Sequence, residues 1–159
     1  MLQKLKKRKE EQQGFTIIEV LIVLAIAGLI LLIVFLAVPA LQRNARNTSR
    51  KSDISGLASA ISEFVDNNNG QEPSKAADGT AILANWKPGY YATSSVTFAY
   101  NTTATATADP GDVAKVNVGV YSTCSGTSST ATNATARSVA ITYDVETGGG
   151  MTEQCVTAQ

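Results

Sequence analysis

Polar and apolar positions divide the chain into distinct regimes. Residues 1–14 are polar and end in glycine, while residues 15–38 are apolar nearly throughout and carry a single acid, Glu19. From residue 20 to residue 38 no charged side chain occurs, close to the roughly 20 residues that span a bilayer's hydrocarbon core. This stretch predicts a membrane helix. A core helix of such uniform apolarity would need more protein around it than the rest of the chain supplies. Gly28 lowers helix propensity by about 1 kcal/mol relative to alanine. Pro39 removes one backbone hydrogen bond and disfavours helix at Val38, so the helix is expected to bend or melt locally between them.

Beyond Leu41 the chain turns polar and then amphipathic. Arg43, Arg46 and Arg50 fall on one helical face, and Ile54, Leu57, Ala58, Ile61, Phe64 and Val65 follow helical spacing. Asp53, Ser55, Ser59, Ser62, Glu63 and Asp66 are expected to point away from that apolar stripe. Asn67, Asn68, Asn69 and Gly70 stop the helix, as residues that tolerate left-handed backbone do. A helix from Phe15 to about Asn68 measures roughly 80 Å.

Residues 70–94 read as an irregular connection anchored by Ile82, Leu83, Trp86, Tyr90 and Tyr91. The period then changes to two. Val96, Phe98 and Tyr100, then Val116, Val118 and Val120, then Val139, Ile141 and Tyr143 alternate with polar or small neighbours, which predicts three strands with one apolar face each. Thr/Ala/Ser-rich connections lie at 102–109 and 122–136. Asp109, Pro110 and Gly111 signal a turn, and Gly148, Gly149 and Gly150 another, after which residues 153–157 return as a short fourth strand. The expected fold is α+β: a long N-terminal helix, membrane-spanning in its first half, packed on a three- to four-stranded antiparallel sheet whose other face is exposed.

Formal net charge is zero, but the balance hides a cationic tag of Lys4, Lys6, Lys7, Arg8 and Lys9. A secretory signal places its small-residue cut after the apolar stretch, whereas Gly14 precedes it, so removal of residues 1–14 leaves the helix in the mature protein. Cys124 and Cys155 have neither redox nor zinc spacing, and the chain holds no histidine. They read as a disulfide made in an oxidising compartment or as two separate buried thiols. Basic residues on both sides of the apolar stretch leave the positive-inside rule close to a tie, and the disulfide reading places the C-terminal domain outside. Such a bond closes a loop of about 30 residues and contributes about 3.5 kcal/mol in the loop-entropy model.

A carboxylate in a membrane helix costs roughly 2.5 to 3.5 kcal/mol when central and less near an end, so Glu19 either snorkels to the headgroups or meets a partner. Cutting after Gly14 supplies one, because Phe15 then gains an α-amine with pKa near 8. A neighbouring copy's Glu19 matches that amine better than the same helix does.

Gly14, Phe15, Thr16, Ile17, Ile18 and Glu19, behind a basic leader and ahead of an apolar helix, resemble the class III signal of type IV pilins and pseudopilins. The resemblance covers about the first 40 residues. It implies residues 1–14 as a cleaved leader, 15–41 as the transmembrane and filament-core helix, 42–69 as its amphipathic continuation, and 70–159 as an extracellular β-sheet domain with a Cys124–Cys155 loop. It implies cleavage between Gly14 and Phe15 by a prepilin peptidase, methylation of the Phe15 amine, and an assembly role for Glu19. It further implies helix flexibility between Gly28 and Pro39, an assembly ATPase, a membrane platform protein, and polymerisation of identical or related subunits from the membrane into an extracellular helical filament. The role implied is that of a pilus subunit, most naturally a major pilin, in adhesion, twitching motility or DNA uptake. A pseudopilin of a type II secretion or competence system is built on the same plan.

No catalytic residues, cofactor or metal ligands are assigned: without histidine there is no Ser-His or Cys-His system, and no phosphate loop occurs. Arg43, Arg46, Arg50 and Lys51 read as a solvated face or as partners in intersubunit salt bridges to Glu63, Asp66 or other acids. Direct nucleic-acid binding is disfavoured, since losing the leader leaves the chain net acidic. Asn47, Asn101 and Asn133 head Asn-x-Ser/Thr triplets that can accept glycan.

Overall fold

Alternation and helical spacing resolve into two α-helices, one 3-10 turn and six strands in a computed structural model that describes residues 14–100, 115–126, 128–131 and 138–158. The chain divides into two units, residues 1–39 and 40–159. In the first, α1 (Ile17–Asn67) begins, helical through Gly28 and Pro39. Its most apolar window is wholly unburied and is long and apolar enough to cross a membrane.

In the second unit α1 ends as expected. Asn69 and Gly70 adopt positive φ, and the Gly70 N–H donates to Val65 O at 2.8 Å, closing the last turn. Ile54, Leu57 and Ile61 of α1 are buried against Val116, Val118, Val120, Val139, Ile141 and Tyr143, so the predicted stripe does cover the sheet. At about 25 cal/mol per Å² of apolar surface removed from water, this cluster is the main apolar stabilisation of the unit.

The sheet is mixed rather than an antiparallel meander. It runs β1 (Val96–Ala99), β2 (Val116–Val120), β5 (Val139–Thr147) and β6 (Gly150–Ala158) in spatial order, with β1 parallel to β2 and the other pairs antiparallel. Hairpin turns force antiparallel pairing, whereas a connection of about a dozen residues or more permits a parallel neighbour. Residues 100–115 supply that length. The Asp109 turn, like the leader and the Asn101 and Asn133 triplets, lies outside the described residues.

Two expected loops are structured. Residues 70–94 contain α2 (Ala76–Asn85), started by Asp78 turning back to accept the Ser74 and Lys75 N–H groups at 2.8 and 3.2 Å. The 122–136 stretch contains the hairpin of β3 (Ser122–Ser125) and β4 (Ser128–Ala131). That hairpin changes the layer count. Cys124 of β3 is bonded to Cys155 of β6, with Cα atoms 5.7 Å apart. Cys155 pairs in register with Thr142 and so shares its face, opposite to that of Ile141. Ala140, Thr142 and Asp144 on that second face are buried, so β5 is covered on both sides and the predicted open face is not open there.

Candidate functional site

Two groups of polar residues stand out from this frame, one at the start of α1 and one along its second half. At the start, Gly14 and Phe15 precede the helix in non-helical backbone, and both are exposed; Phe15 is 85% accessible. Thr16 is the N-cap. The Glu19 backbone N–H donates to Thr16 Oγ1 at 3.3 Å, and Glu19 Oε2 accepts from the Thr16 backbone N–H at 3.3 Å and from its hydroxyl at 3.2 Å. This reciprocal capping box satisfies two helix-end donors. It also holds the carboxylate at the positive end of the helix dipole.

The charge that looked isolated in the sequence is therefore partly compensated within its own helix. The Thr-x-x-Glu spacing was visible in the sequence and is the signal that identifies Thr16 as part of this site. Gly28 has no heavy atom within 4 Å of where a Cβ would stand, so its place in the helix is not dictated by packing within the subunit. From Phe15 to Leu41 the large apolar side chains are exposed, Val38 being the most covered at 38%.

Gly14 and Phe15, the capped acid Glu19 and the exposed apolar helix are contiguous in sequence. Residues 11–35 match the family model described as the prokaryotic N-terminal methylation motif. This is the class III signal of pilins and pseudopilins. The motif spans Gly14, Phe15, Glu19 and Gly28, and with the apolar helix it marks a membrane-anchored precursor of pilin-like, structural type. No curated protein and no solved structure matches the chain.

The second polar group fixes α1 to its sheet. Arg46 grips the Glu146 carboxylate through Nε at 3.0 and 3.2 Å and through Nη2, while Arg50 reaches the same carboxylate through its own Nη2. Arg50 is fully buried; its Nη2 also donates to the Tyr90 hydroxyl at 2.7 Å, and its guanidinium lies 4.7 Å from the Tyr90 ring centroid. Hydrogen bonding from Arg46, reinforced by Arg50, outweighs desolvation and pulls the Glu146 pKa down to about 2. For Arg50, burial opposes the charge, but Tyr90 and Glu146 overcome it and raise the pKa.

Asn47 adds a backbone clasp. Its Nδ2 donates to Glu146 O at 2.7 Å and its Oδ1 accepts from Glu146 N at 2.9 Å. With both amide atoms committed, this residue is a structural clasp rather than the open glycan acceptor that its triplet allows. Asp53 likewise does not face away. Its carboxylate accepts the N–H groups of Gly89, Tyr90 and Tyr91 at 2.9, 2.7 and 3.0 Å, and its carbonyl accepts from Trp86 Nε1 at 2.9 Å.

Of the readings for these arginines, the free solvated face is corrected for both: each is ion-paired to Glu146 at the end of β5, Arg50 wholly withdrawn from water and Arg46 still 42% exposed. Within the subunit, among the described residues, Glu63 and Asp66 do not pair with them; the pairing expected with those two acids is one between copies. No sequence spacing announces pairs about a hundred residues apart; only the oddity of arginines and an aspartate flanking an apolar stripe could have raised the question.

Proposed function

We propose that this chain is the precursor of a filament subunit, cut between Gly14 and Phe15 by a membrane aspartic peptidase, methylated on the Phe15 amine, and assembled with copies of itself into an extracellular type IV pilus. The methylation motif on residues 11–35 carries this reading. The exposed apolar half of α1 is its physical complement, since an anchor that packs in a filament core must leave its apolar surface uncovered in the free subunit.

In the filament, the helices form the core, and Glu19 meets the Phe15 amine of a neighbour. Removing both from lipid into a dry core requires that they pair or neutralise. The capping box leaves Oε1 of Glu19 without a hydrogen bond among the described residues, and that oxygen is the one available to a neighbour's ammonium. A platform protein and a motor ATPase extract the subunit from the membrane. α1 melts between Gly28 and Pro39 on assembly; a filament map with unbroken helix there refutes that step.

Mass spectrometry of sheared surface filaments tests the whole reading. The expected result is this chain as the main component of long filaments, with an N-terminus at Phe15 carrying one added methyl group. An intact leader on the exported chain overturns it, and cleaved, methylated protein confined to a short envelope structure assigns the chain to the pseudopilins instead.

A further inference from the structure

The second half of α1 has an outward face that the subunit itself does not cover. Thr48, Ser55, Ser59 and Ser62 run along it, with exposed Lys51 toward one end and exposed Glu63 and Asp66 at the other. An open groove of about 670 Å³ lies beside it, closed on its far side by Thr157 and Ala158 of the edge strand β6.

Three properties make this face a contact surface. First, serine is a poorer helix former than alanine, lysine or glutamate by up to about 0.5 kcal/mol per position, and what it offers instead is low bulk, which lets another helix come within about 8 to 10 Å. Second, three of the four hydroxyls are turned inward: Thr48, Ser59 and Ser62 donate to the carbonyls of Asn44, Ser55 and Ala58 at 2.9, 3.0 and 3.1 Å. Covering the face therefore strands none of these donors. Third, Lys51, Glu63 and Asp66 form no ion pair within the subunit among the described residues. Asp66 stands near the negative end of the helix dipole, whose last turn holds no basic residue.

The two charge signs lie on one helix, and Lys51 precedes Glu63 and Asp66 by about 18 and 22 Å at 1.5 Å per residue. All copies enter the membrane by the same N-terminal segment, which makes them parallel. Parallel copies bring opposite charges together only when one is displaced along the helix, and such a head-to-tail contact does not close on itself.

We propose that this face docks a second copy of the chain, parallel and axially displaced, seating Lys51 of one copy against Glu63 and Asp66 of the next. The proposal rests on the filament reading for its setting and names the contact within it.

The test uses the full-length chain in the producing cell. Lys51→Glu alone, or Glu63→Lys with Asp66→Lys, is expected to lower sheared filament by about tenfold or more, since like charges at a contact cost several kcal/mol and each 1.4 kcal/mol is tenfold. Combining all three reversals is expected to restore it to within about twofold of wild type. Separately, Lys51→Cys with Asp66→Cys is expected to give an oxidation-dependent ladder of linked copies. Filaments that tolerate each reversal and give no ladder overturn the contact and leave the filament reading standing. A ladder without filaments upholds the contact and overturns the filament, and neither overturns both. Unchanged melting temperatures of the reversal variants confirm that folding is not what changed.

Discussion

Arg50, with no solvent-exposed surface, donates to the carboxylate of Glu146 across 96 positions of sequence. The pair has a signed pH dependence. Glu146 ordinarily titrates near 4.5 and in the folded chain near 2, so the folded state binds fewer protons. Its stabilisation is complete above about pH 4.5 and fades as pH falls toward 2. Thermal melts between pH 7 and pH 2.5 are expected to show this loss. Glu146→Ala removes that component and lowers stability at neutral pH by about 3 kcal/mol, because it leaves the Arg50 charge buried without its carboxylate.

Asp53 makes a different prediction, local rather than global. Asp53→Ala strips the acceptor from the N–H groups of Gly89, Tyr90 and Tyr91, at a cost of about 1 to 3 kcal/mol for buried donors left unpaired. Hydrogen exchange is expected to accelerate at those three amides well before the β5 amides respond. Equal acceleration across the sheet would show that Asp53 supports the whole unit and not this loop.

These two residues also show where sequence reading stops. The helix, the α+β class, the stripe of Ile54, Leu57 and Ile61 and three strands of the main sheet followed from periodicity, and the helix stop at Asn69 and Gly70 and the return of β6, longer than the expected 153–157, followed from turn residues; all of these are local signals. Strand direction was not local: β1 runs parallel to β2 because of a long connection, and nothing in Val96, Phe98 or Val116 encodes that. α2 escaped because Gly79 sits inside it. The structure supplies the reason, since a Cβ there would come within 3.0 Å of the Phe98 ring and closer still to the Tyr100 hydroxyl. At the N-terminal site, Gly14, Phe15 and Glu19 were legible as a motif, whereas the Thr16 cap was legible only as a spacing that the more conspicuous charge overshadowed.

The Cys124–Cys155 bond ties the β3–β4 hairpin to β6, and its removal tests whether that hairpin belongs to the core. Replacing both cysteines by serine is expected to cost about 3.5 kcal/mol from loop entropy alone. Loss of cover over Ala140, Thr142 and Asp144 would add to this. Denaturant unfolding of the variant, with its slope compared to wild type, separates the two: a lower midpoint with an equal or steeper slope reports the freed unfolded chain, and a reduced slope reports a native state that has already exposed the second face.

Glu19 has two separable roles, and a conservative substitution divides them. Glutamine at the third helical position still completes a capping box with Thr16 but carries no charge, whereas alanine loses both. In detergent, Glu19→Gln is expected to keep the helix start, and Glu19→Ala to fray it at a cost of about 1 kcal/mol, read as exchange of the first-turn amides. If the neighbour's Phe15 amine is the partner, both variants are cleaved normally and both give little filament, because an amide cannot balance an ammonium in a dry core. Filament yield that follows the cap instead, high for glutamine and low for alanine, would make Glu19 a helix-starting residue and remove the charge from the assembly mechanism.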